Sequence, residues 1–130
     1  MNKNIELLKQ LYFSFSKKDI AAILELLSDD VEWSEPANPF NPCGGTRKGH
    51  DGFLEWLNIG KDAEEILILE PKRFLVDNDS VAVIGYLKVL AKPTGKIYDS
   101  DFVHYAVIKD GKICKFQEFF DTYIAGEAFR

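Results

Sequence analysis

Residues 95–124 read GKIYDSDFVHYAVIKDGKICKFQEFFDTYI, and the reading of this stretch decides the fold. Two apolar-polar alternating runs flank Lys109-Asp110-Gly111-Lys112, and Asp-Gly between alternating strands is the strongest short-range hairpin signal. On the first arm Phe102, His104, Ala106 and Ile108 share a face, with Asp101, Val103, Tyr105 and Val107 opposite. On the second, Phe116, Glu118 and Phe120 share a face, while Lys115 and Gln117 point the other way. An aromatic face that also carries His104 and Glu118 needs a reason, because burying an ionisable group is costly unless it is paired. The expectation is that this face lines a pocket. Counting outward from Asp110-Gly111 pairs Lys109 with Lys112 and sets His104 opposite Gln117. Glu118 is then one step away, so a shift of one residue decides whether His104 and Glu118 meet.

Upstream of the hairpin the periodicity is first helical and then strand-like. Ile5, Leu8, Leu11, Tyr12 and Phe15 predict an amphipathic helix over 3–17. Asp19 caps a second helix whose stripe is Ile20, Ile23, Leu24 and Leu27. Residues 31–36 form a short strand stopped by Pro36. Residues 36–49 (PANPFNPCGGTRKG) carry three Pro, three Gly and two Asn, a long loop of the kind used as a lid or binding loop. A third helix spans 50–62, then strands cover 65–76 and 80–91, with Pro71 marking an edge or a bulge. Three helices ahead of an antiparallel sheet define an α+β fold. A strongly curved sheet closing on those helices makes a cone with one open mouth, in a single domain over 1–130.

Composition narrows the function classes. The 130 residues carry 16 Lys and Arg against 21 Asp and Glu, a net charge of −5 with no basic run, which argues against a nucleic-acid partner. Ten Phe, five Tyr and two Trp are generous for a pocket or a core. No apolar run reaches membrane-span length and the first residues lack a signal-peptide core, so no membrane partner and a cytoplasmic location are expected. Cys43 and Cys114 give neither a disulfide framework nor metal spacing, and no phosphate loop or nucleophile elbow is present. Neither a metal nor a cofactor is expected.

The order of elements resembles the nuclear-transport-factor-2-like superfamily, in particular its SnoaL-like, ketosteroid-isomerase-related branch. Four stretches carry the likeness: Lys18-Asp19-Ile20 with Leu26 to Val31; Glu35-Pro36; Gly44 to Gly52 entering the third helix; and Asp110-Gly111-Lys112-Ile113 leading into Phe116 to Asp121. The resemblance implies the cone fold, a small apolar ligand and a homodimer formed through the outer face of the sheet, where Val103, Tyr105, Val107 and Phe119 make an apolar patch. In ketosteroid isomerase the general base is an aspartate before a proline at the end of the first strand, and Glu35-Pro36 stands at that place. The isomerase's oxyanion-hole positions fall on Leu11, beside Tyr12, and near His104, so that hole is not reproduced. SnoaL-like cyclases place an acid near the end of the last strand, which here is Glu118 or Asp121.

The candidate catalytic residues are therefore Glu35, His104, Glu118 and Asp121. Tyr12, Trp33, Phe53, Trp56, Phe74, Phe102, Phe116 and Phe120 are candidate pocket walls, each equally suited to an ordinary core. Glu35 has a solvated strand end as its plain alternative, His104 a satisfied core position, and Asp121 a cap. The expected function is cofactor-independent proton transfer on a small apolar substrate, as in an isomerase, dehydratase or cyclase. A non-catalytic small-ligand binder and a dimerisation module are the rival uses of the same scaffold.

Overall fold

The computed structural model describes residues 2–130 as four helices and one six-stranded sheet. Helix α1 (Lys3–Lys17) starts where Asn2 accepts from the backbone N–H groups of Asn4 and Ile5, and α2 (Ile20–Leu26) starts under the side chain of Asp19. Strand β1 (Leu27–Glu35) follows, then β2 (Gly45–Lys48), a strand inside the stretch expected to be loop. Helix α3 (Gly49–Ala63) runs without a linker into β3 (Glu64–Asp77). Strands β4 (Ser80–Ala91), β5 (Lys96–Lys109) and β6 (Lys112–Phe120) lead to a short helix α4 (Thr122–Ala128) that the periodicity did not announce.

The sheet order is β2-β1-β6-β5-β4-β3. All neighbours are antiparallel except β1 and β6, which run parallel with Trp33 beside Phe116 and Ser34 beside Gln117. The long strands wrap the helices into the α+β cone expected from sequence. Pro71 lies on the edge strand β3, at a register shift between Pro71 and Arg73, so both explanations of that proline apply.

The β5–β6 hairpin turns through Asp110 and Gly111, both with positive φ (52° and 75°), the type I′ pattern that matches strand twist. Lys109 pairs with Lys112 and Ile108 with Ile113, but Val107 pairs with Lys115. Cys114 is the unmatched residue of a bulge, and beyond it every pairing is displaced by one: Ala106 meets Phe116, His104 meets Glu118, Phe102 meets Phe120. A bulge-free hairpin would set the apolar face of one arm against the polar face of the other. The bulge brings the two apolar faces into phase.

The core lies between this concave face and the helices. Leu8, Leu11, Ile23, Val31, Phe53 and Val83 are among its fully or almost fully buried side chains. Gly85 on β4 sits where an added Cβ would come within 2.4 Å of both the Glu70 carbonyl oxygen and Phe102 Cζ. Only glycine lets the Phe102 ring lie flat on the sheet, stacked 4.1 Å from the His104 ring.

Candidate functional site

Side chains of β1, β5 and β6, with α1 and α3 above them, converge on the cavity inside the cone. The parallel register of β1 and β6 does the first part of the assembly. One step beyond Ser34 and Gln117 the next positions are Glu35 and Glu118, so two carboxylates end up side by side on the inner face. The β5–β6 register then sets His104 across from Glu118.

Glu35 is 6% exposed and both of its oxygens are engaged: Trp56 Nε1–H donates to Oε1 at 3.0 Å and Asn41 Nδ2–H to Oε2 at 2.9 Å. Asn41 is itself buried, its Oδ1 accepting from Cys43 N–H and its own N–H donating to Asn38 Oδ1. The Pro- and Asn-rich segment after β1 is thus folded around the Glu35 carboxylate. Burial, and then the nearby charge of Glu118, push the Glu35 carboxyl up to about 7, with the Trp56 and Asn41 hydrogen bonds offsetting part of the rise.

Two strands along the same face, His104 is 3% exposed and bonded at both ring nitrogens: Tyr12 Oη lies 2.7 Å from Nδ1, and Glu118 Oε2 lies 2.5 Å from Nε2. Desolvation holds the Tyr12 phenol well above its ordinary range, so it stays protonated and donates to Nδ1. Nε2–H then donates to Glu118, giving a Tyr12–His104–Glu118 relay that ends on a carboxylate facing the cavity.

A third carboxyl on the cavity carries no mark in the sequence. Glu64, at the junction of α3 and β3, lines the same cavity. Its carboxyl is pushed up to about 8, first by burial and then by the charges of Glu35 and Glu118. Nothing in its local pattern marks it, because Glu64-Glu65 reads as a polar strand start. Its neighbours come from elements far away in the chain.

Leu11, Phe15, Trp33, Trp56, Tyr98, Phe116 and Phe120 form the apolar walls, and among the described residues no Lys or Arg lines the cavity. The open volume is about 50 Å³. That holds a few waters, whereas a dry cavity of about 150 Å³ is what admits benzene, so a ring-sized ligand requires the walls to part. Trp33 and Phe116 stack at 4.1 Å across β1 and β6 and fix one wall.

The structure gathers Glu35, His104, Glu118, Tyr12, Trp33, Trp56, Phe116 and Phe120 in one place. It separates four other candidates from the cavity. Asp121 is exposed and caps α4, accepting from Ile124 N–H, so the acid facing inward near the end of β6 is Glu118. Phe53 is fully buried behind Trp33, and Phe102 lies under His104. Phe74 packs edge-on against Tyr12 outside the lining. For these three, helix phase and sheet depth put the ring one layer behind the surface.

Among the described residues, one group has metal-ligating types: an oxygen of Glu35, Cys43 Sγ and an oxygen of Glu64 lie within 4.8 Å of one another. Both Glu35 oxygens already accept hydrogen bonds from neutral donors, and burial raises the Cys43 thiol, which keeps it protonated. That chemistry suits a shared proton better than a cation.

A family model described as a SnoaL-like domain matches residues 8–116. The chain belongs to the SnoaL-like family. It is similar in structure to an NTF2-like protein from Burkholderia pseudomallei, with a TM-score of 0.90 and 26% identity over 99% of this chain and 98% of that one. It also resembles TerC, co-crystallized with polyporic acid, with a TM-score of 0.80 and 29% identity over 98% of each chain. An uncharacterized protein of Mycobacterium tuberculosis is 21% identical over 97% of this chain and 95% of its own length. No helix among the described residues is long and apolar enough to cross a membrane.

Proposed function

We propose that this SnoaL-like protein is a cofactor-independent proton-transfer enzyme, of isomerase, dehydratase or cyclase type, acting on a small apolar substrate that carries a carbonyl or hydroxyl group. The observation that carries the reading is Glu35: a buried carboxylate held at both oxygens, with its proton affinity raised to about neutrality, facing an aromatic cavity. A general base works best when its proton affinity is near the working pH. Glu35 is the base; the His104–Glu118 pair, braced by Tyr12, supplies hydrogen bonding and proton exchange beside it. That the structurally similar TerC was co-crystallized with polyporic acid supports a small organic molecule as the ligand. Two copies are expected to pair through the outer face, where Val103 and Phe119 are exposed at 37% and 46%.

The test is deuterium incorporation from D2O into a panel of aryl alkyl ketones and β-hydroxy ketones, followed by NMR. Exchange above buffer that disappears in Glu35→Gln supports the reading. Exchange equal in wild type and variant, or none with any member of the panel, sinks it. Light scattering on the eluting protein checks the pairing: the mass of one chain removes it.

A further inference from the structure

The geometry points to Glu35 and Glu64 as a carboxyl dyad that shares a single proton at neutral pH, with Glu64 carrying the proton and Glu35 the charge, so that Glu64 is the site's acid.

Three observations lead there. The two carboxyl groups, from β1 and from the α3–β3 junction, approach within 4.8 Å and both face the same cavity. Two like charges at that separation in a poorly solvated site resist being ionised together. The environments of the two groups are unequal in hydrogen bonding. Glu35 receives an N–H on each oxygen, from Trp56 and Asn41, which favours its anion. Among the described residues no side chain or backbone N–H bonds the Glu64 carboxyl, and it sits at the C-terminal end of α3, where its own backbone N–H closes the helix on Gly60. The carbonyl end of a helix carries partial negative charge and disfavours a second one.

The other groups facing the pair do not reverse this order. Glu118 on β6 adds negative charge to both. Cys43 beside them is a neutral thiol, and Tyr98 on β5 is a phenol held protonated by burial. Tyr12 and His104 are committed to each other and to Glu118. Arg47 lowers Glu35 and so reinforces its place as the charged member.

The catalytic half of this inference rests on the proton-transfer reading; the shared proton does not. In a dehydration, Glu35 takes a proton from carbon and Glu64 gives its proton to the leaving hydroxyl, so the C–H electron pair forms the new double bond and water departs. In an allylic isomerisation Glu35 takes a proton from one carbon, Glu64 gives its proton to the far carbon of the double bond, and the double bond shifts between them. Either way the dyad ends with its proton on Glu35 and none on Glu64. One hop between the two carboxyls restores the starting state, with no outside acid.

The test is a carboxyl 13C NMR titration of the intact protein labelled at glutamate, from pH 4 to pH 10, in wild type, Glu35→Gln and Glu64→Gln. Wild type should show two glutamates titrating above the ordinary range, Glu64 last. In Glu35→Gln the Glu64 midpoint should fall by about one pH unit or more, a tenfold loss of proton affinity, and Glu64→Gln should lower Glu35 likewise. A Glu64 already ionised at pH 6, a wild-type order with Glu35 last, or a Glu64 midpoint unmoved by Glu35→Gln overturns the dyad. The wild-type order decides even if a variant fails to fold. Deuterium exchange with an ionised Glu64 would sink the dyad alone. A normal dyad titration without exchange would sink only the proton-transfer reading.

Discussion

Glu118 Oε2 lies 2.5 Å from His104 Nε2 because Cys114 is skipped in the pairing of β5 with β6. A hairpin counted straight out from Asp110-Gly111 faces His104 with Gln117. The apolar faces of the two arms cannot then coincide, so the chain absorbs one residue in a bulge near the turn. The His104–Glu118 hydrogen bond is a by-product of that hydrophobic phasing. It also leaves a buried histidine dependent on one carboxylate.

Replacing that carboxylate should therefore be costly. Glu118→Ala leaves Nε2–H of a 3% exposed ring without a partner, and a loss of about 1–3 kcal/mol is expected in urea unfolding. The same variant removes a negative charge from Glu35. Its titration should move down from about 7, read by carboxyl 13C NMR.

Stability should fall as pH rises through neutrality. Glu35 and Glu64 have folded-state values of about 7 and about 8, above the ordinary 4.5. The folded protein therefore binds more protons than the unfolded chain between about pH 4.5 and pH 8. Their contribution is fully present below the unfolded value and is lost as pH passes the folded ones, at up to roughly 1.4 kcal/mol per unit for each group. Urea midpoints measured from pH 5 to pH 9 should decline, and Glu35→Gln or Glu64→Gln should flatten the decline. A profile that rises over this range would remove the assigned directions.

Tyr12→Phe deletes the hydroxyl that meets His104 Nδ1 at 2.7 Å while keeping the ring. A loss of about 1 kcal/mol is expected from the unpaired nitrogen. On the proton-transfer reading, deuterium exchange should slow without vanishing, because Glu35 is untouched.

Gly85→Ala tests the floor of the site. Its Cβ meets backbone at Glu70 and the Phe102 ring, each at 2.4 Å, and backbone cannot swing away. Overpacking of this kind costs about 1–3 kcal/mol, and the His104 ring resonances should shift with Phe102. Gly95→Ala is the control: it has positive φ but open space, so it should cost less and leave those resonances in place.

Asp121→Ala separates capping from chemistry. Loss of the bond from Ile124 N–H should cost about 1 kcal/mol. The titrations of Glu35 and Glu64 should not change. A shift in either would return Asp121 to the site.

Much of the cone was legible in the chain itself. Period-3.6 stripes gave α1 and α2, alternation gave β3 to β6, and Asp110-Gly111 gave the hairpin, because each of these depends on neighbours a few residues apart. The carboxylate before Pro36 and the histidine on an aromatic face stood out for the same reason: their side chains conflict with their immediate surroundings. Helix α4 and strand β2 did not stand out. One is a seven-residue helix and the other a four-residue strand, too short to show a period.

What the sequence determined by itself is the set of faces: which residues share a side of each helix or strand, and that ionisable groups lie among aromatic ones. Only the tertiary structure decided which of those groups meet. The parallel pairing of β1 with β6 set Glu35 beside Glu118, the bulge at Cys114 set Glu118 on His104, and the α3–β3 junction brought in Glu64. The physical reason is range. Periodicity is a property of neighbouring residues, whereas the proton affinity of a buried carboxyl depends on charges and donors brought close by the fold.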